Sequence, residues 1–251
     1  MLETCTNQAA GLQSIALQTA PRVIAMACHG NQQGELPLLW SLCSTLVGFG
    51  YPVAVLDATT SESDSNPGLE QLLDDAYAKS DEDRVPTSWS VIPAAFGLQR
   101  LCVQHAEHGH AMYPLSDLFQ KFGVIVIYAR ADVLTCLLAG SGIEPLLTVS
   151  PVKMSSVTAY QALKEMLLSA KLRPTVANIA NEQNATDPMA THSPVKNLQE
   201  CAMSFLDYRL DSLTIRAMRQ QECRSDDIKQ LALRLLENAM PLHRHHFVGN
   251  H

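Results

Sequence analysis

The chain has 251 residues, of which 47% are hydrophobic, enough to bury a sizeable core in one large α/β domain. Its formal net charge is -7 and it has no basic block, which excludes a nucleic-acid binder that works by neutralising phosphates. Seven scattered cysteines without a CxxC exclude a zinc or disulfide framework, and no apolar run is long enough to span a bilayer or to act as a signal segment, so a cytoplasmic protein with reduced thiols is expected.

Residues 1–21 precede the first strand, and Asn7–Ala20 can form a short helix with Leu12, Ile15 and Ala16 on one face. Such a tethered amphipathic helix either packs back on the domain or docks in a partner's groove. Pro21 separates it from residues 22–251, which read as a single α/β domain. There, Val23–Cys28 is a buried strand, Gly30–Gly34 a glycine-bounded turn, Leu36–Gly48 an amphipathic helix and Val53–Leu56 a second buried strand. That order opens a mononucleotide-binding sheet. A phosphate loop at this place normally reads G-x-x-x-x-G-K-[ST], with the lysine on the β/γ oxygens. Here Glu35 stands at the lysine position and Leu36 at the hydroxyl position.

Asp57 ends the second strand, and the polar stretch Thr59–Gly68 reads as a loop beyond a carboxyl strand end, where ligands of open α/β sheets bind. A short helix (Leu69–Ala78), an acidic stretch and a strand at Trp89–Pro93 follow. Leu98–His110 and Pro114–Gln120 read as helical, and Gly123–Ile127 as a strand covered on both faces. Leu146–Ser150, Ser155–Lys171 and Thr175–Ile179 form a strand, helix, strand unit, which implies parallel pairing. The region from Pro194 to Gln221 reads as helical throughout. Ser225 can cap a last helix, Asp226–Met240, whose Ile228, Leu231, Leu235 and Ala239 form an apolar stripe, and the tail from Pro241 reads as frayed. His105, His108 and His110, like His243, His245 and His246, lack a fixed carboxylate or thiolate set, so no metal site is expected. No Ser/His/Asp or Cys/His pattern points to a catalytic residue either.

These elements resemble the MinD/ParA branch of P-loop proteins, and more narrowly the FlhG (FleN) regulators of flagellar number and placement. The resemblance is carried by VIAMACHGNQQGE (Val23–Glu35), VIPAAFGL (Val91–Leu98), TVSPVKMSSVTAYQALKEML (Thr148–Leu167) and TVANIAN (Thr175–Asn181), and by Asn7-Gln8-Ala9-Ala10-Gly11-Leu12-Gln13. The last looks like the D-Q-A-x-G-L-R activator motif, with Gln8, Ala9, Gly11 and Leu12 kept and both charged positions replaced, by Asn7 and Gln13. The implied fold is a mostly parallel, doubly wound α/β sheet of the MinD type with a short N-terminal extension helix. The implied partner is an FlhF-like GTPase of the signal-recognition type, met through the N-terminal helix, with flagellar switch or regulatory proteins as further candidates.

The resemblance also implies a nucleotide site at Gly30, Asn31, Gly34, Glu35, Asp57 and Asn178. Asn31 stands where the family's signature lysine would reach a partner subunit, Glu35 replaces the second lysine, and Tyr128 replaces the later strand-end acid. Asp57 is kept, and Asn178 matches the asparagine that meets adenine. Phosphoryl transfer rests on cationic and Mg²⁺ stabilisation of the γ-phosphate. Loss of those groups points to a pseudo-ATPase without a working cofactor, while Gly30 and Gly34 leave ATP or ADP binding without hydrolysis open. Between Phe205–Leu213 and Ile215–Gln221 a strand and loop usual for the family are missing from the match, which implies a sheet strand that is absent or shortened. The last helix has only Lys229 and Arg234 as bases, so it is expected to pack on the core, with weak or no membrane binding. The expectation is a cytoplasmic regulator of flagellar assembly, with a peripheral place at the membrane or cell pole left open. The alternatives are an active MinD-like ATPase and a MinD-like scaffold of another surface or secretion system.

Overall fold

The structure, a computed structural model, describes residues 20–30, 32–74, 89–108, 112–152, 154–181, 193–217 and 225–242. The motif Asn7–Gln13, the loop residue Asn31, His110 and the tail histidines lie outside the described residues. Eight strands make one sheet: β1 (Arg22–Cys28), β2 (Val53–Asp57), β3 (Trp89–Pro93), β4 (Val124–Arg130), β5 (Leu146–Val149), β6 (Thr175–Asn181), β7 (Ser212–Ala217) and β8 (Met240–Pro241). Their order is β3-β2-β4-β1-β5-β6-β7, all parallel, with β8 antiparallel on the lower half of β1. The doubly wound α/β sheet expected from the alternating elements is therefore present.

Strand periodicity divides the core into two layers. From β1, Ile24, Met26 and Cys28 face one side, with Val53, Val55, Val124, Val126 and Tyr128 from β2 and β4. That side is covered by Leu38, Leu39, Leu42 and Leu46 of α1 (Gln32–Gly48) and by Ile228, Leu231 and Leu235 of the C-terminal helix at Ser225–Glu237. Trp40 stacks on Trp89 of β3, ring centroids 4.8 Å apart, and fastens the far end of the same layer. Val23, Ala25, Ala27, Ile125 and Ile127 face the other side. Between α1 and the C-terminal helix the chain forms α2 (Leu69–Asp74), α3 (Ala95–His108), α4 (Tyr113–Leu118), α5 (Ala131–Leu138), α6 (Ser155–Ala170) and α7 (Pro194–Leu206). Leu98, Leu134, Leu163 and Leu198, from α3, α5, α6 and α7, pack into this second layer. The Ser225–Glu237 helix is α8. Among the described residues no helix is long and apolar enough to cross a membrane.

Four sequence expectations change. First, Pro194–Gln221 is not one helical region. Asp207 takes a left-handed conformation (φ 47°) at the end of α7, and Tyr208 N–H donates to Ala202 O at 3.2 Å, closing the helix. The chain then extends as β7, pairing Val176 with Ser212 through Asn181 with Ala217. Leu213 and Ile215 alternate with polar neighbours, so this segment has a strand's period of two. The sheet is therefore not a strand short at this edge.

Second, α1 starts at Gln32, a turn before the expected Leu36, and Gly34 lies within it. Pro37 reads locally as a helix start, but here it sits inside the helix. Third, α5 follows β4 without a linker, so its start at Ala131 is hidden behind the strand's apolar run. Fourth, the start of the tail is not frayed. Met240 and Pro241 pair with Val23 and Arg22, and Leu242 N–H donates to Pro21 O at 2.9 Å.

The buried face of α8 provides a test of the layer assignment. Leu231 is fully buried and Leu233 is 53% exposed. Leu231→Ala is expected to lower unfolding free energy in urea by about 2–5 kcal/mol, and Leu233→Ala by no more than about 0.5 kcal/mol.

Candidate functional site

The carboxyl ends of β2, β4, β1, β5 and β6 lie side by side, as the strand order requires, and this edge collects the residues singled out in the sequence. At the end of β1 the chain must reverse into α1 within a few residues. Gly30 does this with φ at +91°, a conformation that a side chain disfavours. Gly34 has a different role. A Cβ there would lie 2.9 Å from Ser150 Cβ, so the absence of a side chain lets the first turns of α1 press against the chain just beyond β5.

This close approach drives the next residue, Glu35, into the protein, where it is 0% exposed. Its carboxylate meets donors from two strands. Tyr128 of β4 gives its hydroxyl proton to Glu35 Oε2 at 2.6 Å, and His29 backbone N–H points to Oε1 at 3.4 Å. The His29 ring brings Nε2 to 3.3 Å from the same oxygen. That nitrogen also lies 2.8 Å from Thr148 O, a carbonyl that can only accept, so Nε2 carries a proton. On the other side of the ring, Nδ1 lies 2.8 Å from Thr158 Oγ1 of α6. The Thr158 hydroxyl can instead turn to Met154 O at 3.2 Å or Ser155 O at 3.3 Å, which frees its oxygen to accept from Nδ1–H.

Burial dominates the neighbouring acidities. The Tyr128 phenol is pushed far up by loss of water, and its hydrogen bonds to Cys28 and Glu35 and the Glu35 charge add to this. Tyr128 is therefore a neutral donor at any physiological pH. The Cys28 thiol is raised by burial, an effect opposed by hydrogen bonds from Tyr128 and the Gly30 backbone and reinforced by the Glu35 charge. The cluster is a carboxylate ringed by donors in a dry pocket of the fold, an arrangement suited to holding one anion in place.

Asp57 and Asn178 stand on either side of this cluster rather than in it. Asp57 is level with Tyr128 on β4, and its carboxylate accepts from Thr59 N–H at 2.9 Å, Thr59 Oγ1 at 2.6 Å and Thr60 Oγ1 at 2.8 Å. It therefore fastens the loop after β2. Asn178 sits on β6 between Val149 and Thr214. Local pattern gave no hint of Glu62, which is 6% exposed and accepts from Phe96 N–H at 2.8 Å and Gly97 N–H at 2.9 Å, capping the first turn of α3. The roles of His29, Thr148 and Thr158 also escape sequence reading, because their contacts span more than 100 residues.

No family model matches the chain, and no curated protein matches it in sequence. Solved structures do match in fold. A plasmid partition protein from Borrelia burgdorferi superposes with a TM-score of 0.53 at 14% identity, covering 86% of this chain and 99% of that one. The MinC:MinD cell division complex of Aquifex aeolicus gives 0.53 at 12% identity, covering 89% and 99%. Cobyrinic acid a,c-diamide synthase from Mycobacterium smegmatis, solved with ADP and magnesium, gives 0.58 at 17% identity, covering 86% and 94%. The chain has the fold shared by MinD/ParA-type P-loop ATPases, and likeness at this level of identity shows the fold alone.

Tyr128→Phe keeps the ring in the core and removes the phenol donor from a buried carboxylate. The expected loss is about 1.5–3 kcal/mol of unfolding free energy, measured by denaturant titration.

Proposed function

We propose that this chain is a non-catalytic variant of the MinD/ParA scaffold, an FlhG-like regulator of flagellar assembly whose own carboxylate takes the place of a bound phosphate. The observation that carries this reading is the buried Glu35 carboxylate, held by Tyr128 and by the amide and ring of His29. A P-loop directs its amides and its lysine at phosphate oxygens. Here the loop amide of His29 is directed at an acid of the same chain.

Magnitudes favour exclusion of nucleotide. Two unit negative charges 4 Å apart repel by about 4 kcal/mol at an effective dielectric of 20, roughly a thousandfold in affinity, and a triphosphate carries several. Moving Glu35 aside would strip a buried Tyr128 of its acceptor. The residues at this edge therefore fit a phosphate chain poorly, and no step of phosphoryl transfer is assigned to them. The engagement of Asp57 with Thr59 and Thr60 fits the same reading, since that carboxylate serves its own loop.

Activity then belongs upstream of the sheet. The match of Asn7–Gln13 to the FlhG activator motif supports docking of the N-terminal segment on an FlhF-type GTPase, through Gln8, Ala9, Gly11 and Leu12. With neither charge of the motif present, the contact would rest on apolar packing and neutral hydrogen bonds. The full chain is expected to raise the GTP hydrolysis rate of such a GTPase, and Gln8→Ala and Leu12→Ala to remove most of that increase. ATP turnover by the chain is expected to equal that of a denatured control. Turnover above that control, lost on Asp57→Ala, would establish an active MinD-like ATPase instead. An unchanged GTPase rate would remove the flagellar assignment and leave a scaffold of another surface system.

A further inference from the structure

The second helical layer brings together two thiols far apart in the chain. Cys102 lies on α3 and Cys136 on α5, helices that pack side by side on the sheet face opposite Glu35. Each thiol reaches across the contact to the other helix. Cys136 Sγ lies 3.5 Å from the carbonyl oxygen of Cys102 itself, and Cys102 Sγ lies 3.9 Å from Val133 O, one turn before Cys136. Both thiols thus lie in the same small contact between the two helices. Both residues are half-buried, so a small oxidant can reach them while the helices hold them face to face.

We infer that Cys102 and Cys136 form an oxidisable dithiol, a modification site that takes a hydroperoxide as co-reactant and becomes a disulfide tying α3 to α5. The Cys102 thiol is pushed up to about 12 by burial, by its hydrogen bond to Cys136 and by the Cys136 and Asp132 charges. We assign Cys102 as the resolving thiol, which leaves Cys136 to attack the peroxide first. Its thiolate attacks one peroxide oxygen, the O–O bond breaks, and the sulfur becomes a sulfenic acid as the other oxygen leaves as hydroxide and takes up a proton. Cys102 sulfur then attacks the sulfenic sulfur, and the S–O bond breaks. The departing hydroxide takes the Cys102 proton. Overall two thiols and one hydroperoxide, for hydrogen peroxide, give one disulfide and two waters.

Cys43 is the internal contrast. It is fully buried in the other layer with its thiol pushed up to about 12 by burial. The disulfide would close a loop across a 34-residue separation, which restricts the unfolded chain and raises the melting temperature of the oxidised form.

The test is peptide mapping of the full chain after mild treatment with hydrogen peroxide, followed by thermal unfolding with and without dithiothreitol. The expected result is an intrachain Cys102–Cys136 linkage as the main product, with Cys43 still alkylatable after unfolding and a melting temperature several degrees higher that dithiothreitol reverses. Cys102→Ser should leave Cys136 as a sulfenic acid that dimedone traps, and Cys136→Ser should leave Cys102 reduced. A main product that pairs either cysteine elsewhere, or Cys136 passing to sulfinic acid in the wild-type chain without a linkage, would overturn the proposal. Because the mapping is done on the wild-type chain, it decides the matter even where a serine variant fails to fold.

Discussion

The carboxyl edge of this sheet depends on one buried charge and its donors. Glu35 lies at a position where the fold places a helix N-terminus, backbone amides and strand ends around a common point, a geometry that favours negative charge. An acid on the first turns of the helix answers that preference from within. The hydroxyl of Tyr128 and the imidazole of His29 then hold the acid, and Thr148 and Thr158 hold the imidazole. Removing any one donor would leave a polar group in a dry site, where the penalty exceeds what an exposed pair would lose.

That cluster also ties together elements which the strands alone would leave loosely joined. Glu35 brings α1 to β4, His29 brings the β1 loop to β5 and α6, and the missing Gly34 side chain admits Ser150. A second acid repeats the device. Glu62 caps α3, and Glu35 accepts from the amide of His29 in the loop before α1, so these two helix starts are each met by a carboxylate of the chain itself. The carboxyl edge of the sheet is occupied by side chains that hydrogen bond to one another and to the loop after β1.

Much of this was legible in the sequence, and the rest was not for physical reasons. The β1, β2 and β4 strands announce themselves as continuous apolar runs because both faces are covered. An acid directly after the glycine-bounded turn, Glu35, is visible in the sequence. Its burial is not, since Tyr128 is 93 residues away and an acid after a glycine turn usually faces water. Strand β7 was hidden by Ile215 and Leu213, which suit a helix face nearly as well as a strand, until Asp207 in a left-handed conformation ends α7. Asp57 ends β2 and Gly30 sits in the turn after β1, as their places in the pattern suggest, whereas Gly34 lies within α1, where it makes room for Ser150, and Asp57 fastens a loop. Identity of the residues was readable, and their partners were set by tertiary contact.

The central claim is that the protein's own carboxylate occupies the place of a phosphate. Calorimetric titration of the full chain with Mg·ATP, and separately with ADP, tests it most directly. The account predicts no saturable heat at millimolar nucleotide. A saturable isotherm with a micromolar dissociation constant would contradict it, because such binding requires Glu35 to leave its donors or tolerate a triphosphate beside it.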